Sequence, residues 1–173
     1  GVMIGGTSIG GLPANRACFG PLLPDTYQVA HDSLQAMREA VAYHEAERIA
    51  AIVAEPVIGA GGVFPPPEGY LQGLRELCDE CGALLIFDEV QCGMGRLGAL
   101  FAHQFYGVTP DAFTLAKSLA NGLPIGALVM RGDCATALRP GDHGTTFGGS
   151  PVPAAAALEH LHVRDALDLD AHV

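Results

Sequence analysis

Two side chains in this sequence are equipped for chemistry on a carbonyl carbon: Lys117 and Asp88. Lys117 lies in Thr114-Leu115-Ala116-Lys117-Ser118-Leu119-Ala120-Asn121-Gly122 and is the only lysine among nine basic residues, the other eight being arginines. Arginine keeps its proton in proteins, whereas a lysine can lose one and attack a carbonyl. The one retained ammonium is therefore a candidate nucleophile, set against the plainer reading of an ordinary surface lysine. Asp88 closes the apolar run Ala83-Leu84-Leu85-Ile86-Phe87 and precedes Glu89. Such a run, bounded by turn and charge signals, predicts a strand buried on both faces. A carboxylate at its carboxyl end stands where open α/β sheets bind their ligands. Glu55 repeats the arrangement at the end of a second apolar run, residues 49–54.

The elements that must position these groups follow from periodicity and punctuation. Residues 1–31 are rich in Gly and Pro and read as loops around short strands. Asp32-Ser33-Leu34-Gln35 carries a capping acceptor with Gln close behind, so a helix is expected from there to about Glu47, with Leu34, Met37 and Val41 on one face. Leu71, Leu74, Leu77 and Cys78 mark the core face of a further helix, which Gly82 stops. Residues 90–98 form a glycine-punctuated loop and 100–106 a short helix. Strands are expected over 112–116 and 126–130. Pro151-Val152-Pro153 opens an Ala-rich helix to about His162. Strands alternating with helices predict an α/β domain with a mostly parallel sheet covered on both faces. Right-handed crossovers bring Glu55, Asp88 and Lys117 to one edge of it.

Composition narrows the function classes. An apolar fraction of 49% and a charged fraction of 16% describe a globular domain with a sizeable core. The formal charge of −10 leaves no basic stripe for phosphates, so no nucleic-acid partner is expected. No apolar run reaches the roughly twenty residues that span a bilayer, so no membrane is expected either. The opening Gly1-Val2-Met3-Ile4-Gly5-Gly6 lacks the basic start of a secretory leader, and the lack of an initiator methionine predicts a piece of a longer chain. Five cysteines, an odd number in apolar surroundings, fit reduced thiols and a cytoplasmic location. Cys78 and Cys81 stand at helical spacing without a second zinc-type pair, so they read as buried small side chains and no metal site is expected.

A lysine able to form a Schiff base, beside a carboxylate able to hold a protonated pyridine nitrogen, is the pairing that pyridoxal phosphate chemistry requires. Two other classes stay open on the residues alone. Leu84-Leu85-Ile86-Phe87-Asp88-Glu89 also fits the acidic strand end of a P-loop ATPase, although no G-x-x-x-x-G-K-[ST] precedes it. The third reading is a non-catalytic α/β domain whose strand-end carboxylates only cap helices.

Glu55-Pro56, Asp88-Glu89-Val90-Gln91, Gly93-Met94-Gly95-Arg96, Pro110-Asp111, Leu115-Ala116-Lys117 and His143-Gly144-Thr145-Thr146-Phe147-Gly148-Gly149 stand in an order and spacing that resembles the class III pyridoxal-phosphate aminotransferases. The match runs from about Ala50 to Leu161. It implies a fold-type-I α/β/α sandwich, here a partial large domain over residues 1–173, with the N-terminal segment and the C-terminal small domain missing. It implies pyridoxal 5'-phosphate as cofactor, a homodimer with shared sites, and ping-pong transfer from an amino donor to a keto acid through pyridoxamine phosphate. By the resemblance Lys117 would be the Schiff-base lysine and Asp88 the partner of the ring nitrogen. Val90 would pack on a ring face and Gln91 approach the ring hydroxyl. Thr145 and Thr146 would reach the phosphate of the neighbouring subunit's cofactor, and Glu55 would lie near the substrate. The phosphate cup, the ring-stacking aromatic and the carboxylate-binding arginine are expected outside these residues, so the chain alone is not expected to transaminate.

Two branches of the family compete. Gln91, the Gly-Met-Gly-Arg run and the His-Gly-Thr-Thr-Phe-Gly-Gly run resemble acetylornithine and ornithine aminotransferases, which act with keto acids such as 2-oxoglutarate. That branch usually carries a second glutamate where Ala60 stands. The Ile58-Gly59-Ala60-Gly61-Gly62 loop and the Gly6-to-Arg16 opening look more like ω-amino acid (β-alanine type):pyruvate transaminases. The residues nearest the cofactor favour the acetylornithine-like branch.

Overall fold

The computed structural model describes residues 3–173; the expectation that Gly1 and Val2 begin no leader lies outside the described residues. Its frame is a four-stranded sheet in the order β1 (Ala51–Ala54), β2 (Leu84–Asp88), β3 (Ala112–Leu115) and β4 (Ala127–Met130). The first three strands run parallel and β4 is antiparallel to β3. The mostly parallel sheet expected from the alternation is therefore present, with one reversed edge strand.

Helices α1 (Ile4–Ile9) and α2 (Pro13–Ala17) precede α3 (Leu34–Tyr43), α4 (Tyr70–Cys81), α5 (Ala102–Tyr106) and α6 (Pro151–Ala166). Ser33 caps α3, its hydroxyl accepting from the Ala36 N–H at 3.0 Å. That satisfies one orphan amide of the first turn, as its position in the sequence implied. Gly82 ends α4 in the left-handed region, φ 74°, with its N–H on the Cys78 carbonyl. Helix α3 is shorter than expected, a separate 3₁₀ turn covering Ala46–Arg48. Helix α6 runs one turn longer than expected.

The opening segment corrects the sequence reading. Short strands were expected there, but among the described residues no strand precedes β1. β-Branched Ile4, Thr7 and Ile9 favoured extended backbone on propensity. Local hydrogen bonding overrides that preference. Ser8 Oγ donates to the Ile4 carbonyl at 2.7 Å, and the Arg16 guanidinium donates to the carbonyls of Thr7, Ser8 and Gly10, joining α1 to α2.

The core lies on one face of the sheet. Leu71, Leu74, Leu77 and Cys78 of α4 pack with Ile52, Leu85, Phe87, Phe113 and Leu115, and Leu34, Met37 and Val41 of α3 close over them. The other face departs from the expected two-sided burial: Val53 is 40% exposed, Leu84 38% and Leu128 51%. Helices α3 and α4 both belong to the Leu85–Phe87 side, so the alternation of a strand puts Leu84 and Ile86 opposite them. Asp88 shares that open face with Thr114, its register partner.

All five cysteines are free in the structure. Burial pushes the Cys78 thiol up to about 12 and the Cys92 thiol up to about 11, so both stay protonated and unreactive.

At the end of β3 remote from Lys117, Asp111 gathers three partners. Its carboxylate accepts from Arg75 Nη1 at 2.7 Å, the Leu85 N–H at 2.9 Å and Arg131 Nη2 at 3.2 Å. Burial alone would raise this carboxyl, but the hydrogen bonds from Arg75 and Leu85 and the charges of Arg75 and Arg131 outweigh it and hold it below its ordinary value. The unfolded chain lacks these partners. The stabilisation is therefore complete above the ordinary carboxylate range and is lost as pH falls through the lowered folded-state value. Asp111→Asn is expected to cost about 2 kcal/mol at neutral pH, a typical value for hydrogen bonds to charged groups. It should also flatten the loss of stability on acidification. Urea midpoints followed from pH 7 down to about 3 check both. Equal acid sensitivity in the two proteins would contradict this assignment.

Candidate active site

The carboxyl ends of the three parallel strands converge on one edge, and each delivers a polar residue there: Glu55 after β1, Asp88 at the end of β2 and Lys117 after β3. The edge expected from the sequence is thus assembled. Asp88 Oδ1 accepts from the Val90 N–H and from Thr114 Oγ1, both at 3.0 Å. These bonds fix the carboxylate from its own loop and from the neighbouring strand. Among the described residues nothing donates to Oδ2, which leaves one oxygen of a half-buried carboxylate uncommitted.

Lys117 opens a 3₁₀ turn, Lys117–Ala120, directly after β3. Its backbone has φ 49°, a left-handed conformation that a non-glycine residue holds only when its surroundings impose it. The imposing parts are visible. Leu119 and Ala120 are buried in the core with Ala157 of α6. His160 Nδ1 lies 3.2 Å from the Leu119 carbonyl oxygen, so that ring nitrogen carries the hydrogen. The lysine backbone is thereby braced from below while its side chain is exposed. Its Nζ donates to Gln91 Oε1 at 3.0 Å. Gln91 belongs to the loop that Asp88 starts, so the partner of the amine stands three residues along the chain from the carboxylate.

Glu55 Oε2 accepts from the Gly59 N–H at 2.9 Å. The same loop closes as a narrow hairpin in which Ile58 and Phe64 exchange backbone hydrogen bonds of 3.1 and 2.9 Å. Ala60 stands exposed at its tip. Val90 is half-buried next to Asp88. Thr145 and Thr146 are exposed in the segment between β4 and α6, and no described hydrogen bond joins their side chains to Asp88, Gln91 or Lys117.

One functional distinction was illegible in the sequence: the adjacent acids Asp88 and Glu89 do different work. Glu89 is 1% exposed. Its carboxylate accepts from the Ala102 N–H at 2.6 Å, the His103 N–H at 2.9 Å and His103 Nδ1 at 2.7 Å. It ties the loop after β2 to the start of α5. With both oxygens engaged by α5 and the side chain buried, Glu89 is withdrawn from any metal-bound water or nucleotide, which removes the acid pair that an ATPase reading needs. The non-catalytic alternative describes Glu89 well, and Glu55 in part, since both cap backbone amides. It does not describe Asp88, one oxygen of which is left free.

A cavity of about 310 Å³ opens near Arg75, Val108, Thr109 and Arg131. It sits at the opposite end of β3 from Lys117, and its arginines are engaged by Asp79 and Asp111. It is not part of this cluster.

Comparison with known proteins agrees with the geometry. The profile of the family described as aminotransferase class-III matches residues 7–173. The chain is 45% identical over 164 residues to the succinylornithine transaminase/acetylornithine aminotransferase of Pseudomonas aeruginosa, covering 93% of this chain and 39% of that protein. The ornithine aminotransferase of Toxoplasma gondii superposes with a TM-score of 0.90 at 38% identity, over 98% of this chain and 40% of that one. A second structure of that protein shows partial occupancy of pyridoxal phosphate at its active site. An (S)-enantioselective omega-transaminase from Thermomicrobium roseum superposes with a TM-score of 0.90 at 36% identity, over 98% of this chain and 43% of that one. The chain thus spans about two fifths of the length of the proteins it matches. Its architecture is the α/β sheet of the fold-type-I transaminases, and with a family profile covering nearly all its residues, this chain belongs to the class III aminotransferase family.

Proposed function

We propose that this chain is the cofactor-bearing part of a pyridoxal-phosphate-dependent aminotransferase that moves an amino group from a donor of the N-acetylornithine or ornithine type to a keto acid such as 2-oxoglutarate. The observation that carries the reading is the cluster at the strand ends: an exposed lysine amine on Gln91, whose loop begins at a half-buried carboxylate with one free oxygen. A group with an aldehyde, a basic ring nitrogen and a ring hydroxyl fits the three side chains. When bound, pyridoxal phosphate supplies an electron sink for the substrate α-carbon. Lys117 Nζ would hold it covalently and, when free, would accept and return a proton at that same nitrogen. Asp88 favours the protonated ring nitrogen by its negative charge. Gln91 would present its amide to the ring hydroxyl, and Val90 would pack on a ring face. Glu55 stands at the substrate side, with Oε1 left free by its bond to Gly59.

The remaining assignments belong to the same proposal. Residues 1–173 form a partial large domain, in keeping with the two-fifths coverage. Thr145 and Thr146 serve the cofactor phosphate of the partner subunit in a homodimer with shared sites. Their solvent-facing segment, with Phe147 83% exposed, leaves them available to a second copy. The free thiols support a cytoplasmic location.

A second donor class is favoured by one observation. Ala60 supplies no carboxylate at the hairpin tip, which favours an ω-amino acid:pyruvate transaminase of the β-alanine type. A donor panel on the full-length protein separates the two. We expect acetylornithine with 2-oxoglutarate to exceed β-alanine with pyruvate by at least tenfold in kcat/KM, the size of one well-placed polar contact. The reverse order would assign the ω-amino acid class, and turnover of neither pair would contradict the substrate reading.

A further inference from the structure

The volume where a side chain at position 59 would lie is filled by a neighbour. A Cβ built on Gly59 would overlap the carboxamide of Gln91, meeting its Cδ, Nε2 and Oε1. Gly59 cannot retreat from that contact. Its N–H is held by Glu55 Oε2 at 2.9 Å, and its carbonyl accepts from the Gly62 and Val63 N–H groups at 3.0 and 3.1 Å. The hairpin bonds between Ile58 and Phe64 fix the residue that precedes it. Gly59 is buried, whereas Gln91 is an exposed residue on a glycine-rich loop. Where a rigid backbone and a mobile carboxamide compete for space, the carboxamide moves.

Gln91 Oε1 is also the acceptor for Lys117 Nζ at 3.0 Å. We propose that Gly59 is a positioning residue: by having no side chain, and by being pinned through the Glu55 carboxylate, it forms the seat that holds the Gln91 carboxamide against the Lys117 amine. This rests on the reading of Lys117 as the cofactor lysine. It adds that the hairpin between β1 and α4 (through Gly59), and not the loop after β2 alone, determines where that amine and its amide partner stand. The seat also assigns Glu55 a second task. Its Oε2 stabilises the hairpin that orients the lysine's partner, while Oε1 is left for substrate.

The test is a double-mutant cycle in the full-length protein, with Gly59→Ala, Gln91→Ala and the two combined. The readouts are cofactor retention by equilibrium dialysis and the pH midpoint of the bound cofactor's absorbance. A change in overall stability alone would not move that midpoint. Gly59→Ala should weaken retention roughly tenfold, the scale of a lost hydrogen bond to a charged group, and should shift the midpoint in the direction that Gln91→Ala shifts it. The combined variant should match Gln91→Ala, because the displaced group is already gone. Full additivity, or a Gly59→Ala protein with wild-type retention and midpoint, overturns the proposal. If Gly59→Ala alone fails to fold, refolding on addition of Gln91→Ala supports the overlap, and a combined variant that stays unfolded overturns it. Wild-type protein that holds no cofactor on Lys117 overturns the functional reading and this inference together, whereas wild-type retention with an additive cycle overturns the inference only.

Discussion

Lys117→Arg in the full-length protein is expected to lose transamination by on the order of 10⁴-fold or more, since one substitution removes both the proposed covalent attachment point and the proposed proton carrier. Its folding should barely change. The side chain is exposed, and an arginine can still donate to Gln91 Oε1. A surface exchange of this kind is usually worth within about 0.5 kcal/mol, against more than about 5 kcal/mol implied by the activity loss. That gap separates the chemical reading from the bland one, because an ordinary surface lysine tolerates arginine in both measurements. Steady-state rates together with urea midpoints on the same preparations decide it. A variant retaining even a tenth of wild-type turnover would leave Lys117 without a chemical role.

Asp88→Asn is the second large effect. Asparagine keeps an oxygen where Oδ1 accepts from Val90 and Thr114, so the loop and the strand pair stay joined and stability should shift by less than about 1 kcal/mol. The negative charge is lost, and with it the preference for a protonated ring nitrogen. Turnover should fall about 10²- to 10³-fold, comparable to removing one preorganised electrostatic partner from an active site. Glu89→Gln should give the opposite profile. Its carboxylate holds Ala102 and His103 and touches no reacting atom, so its loss registers in folding first. A Glu89→Gln protein that is fully stable but inactive would show that the two acids have been assigned the wrong way round.

Much of the site was legible because strand-end chemistry has a one-dimensional signature: an apolar run that stops at a carboxylate. Asp88 and Glu55 are legible that way and Lys117 as the only lysine of the sequence, and the parallel strands bring all three to one edge. Gly82, Ser33 and the leucines of α4 were legible for a similar reason, since caps and helical periodicity are local. What escaped were properties set by distant partners. Asp88 and Glu89 are adjacent acids in the sequence, and only α5 arriving beside Glu89 makes one of them an anchor. The opening segment reads as loops around short strands from its Gly and Pro content, and the helices found there depend on Arg16 donating to carbonyls nine, eight and six positions back. Two-sided burial of β2 was inferred from an unbroken apolar run, yet Leu84 is exposed because α3 and α4 occupy the same face. Gly59 reads in the sequence only as part of the Ile58-to-Gly62 loop; its role depends on a glutamine 32 positions along the chain.

The central claim is that the Lys117 amine carries the cofactor, with Asp88 across the ring from it. Borohydride reduction of the full-length holoenzyme, followed by peptide mapping, tests this most directly. The account expects a single pyridoxyl-modified peptide containing Lys117, and none in the Lys117→Arg protein. Modification at another residue, or no modification of a cofactor-loaded protein, would contradict it.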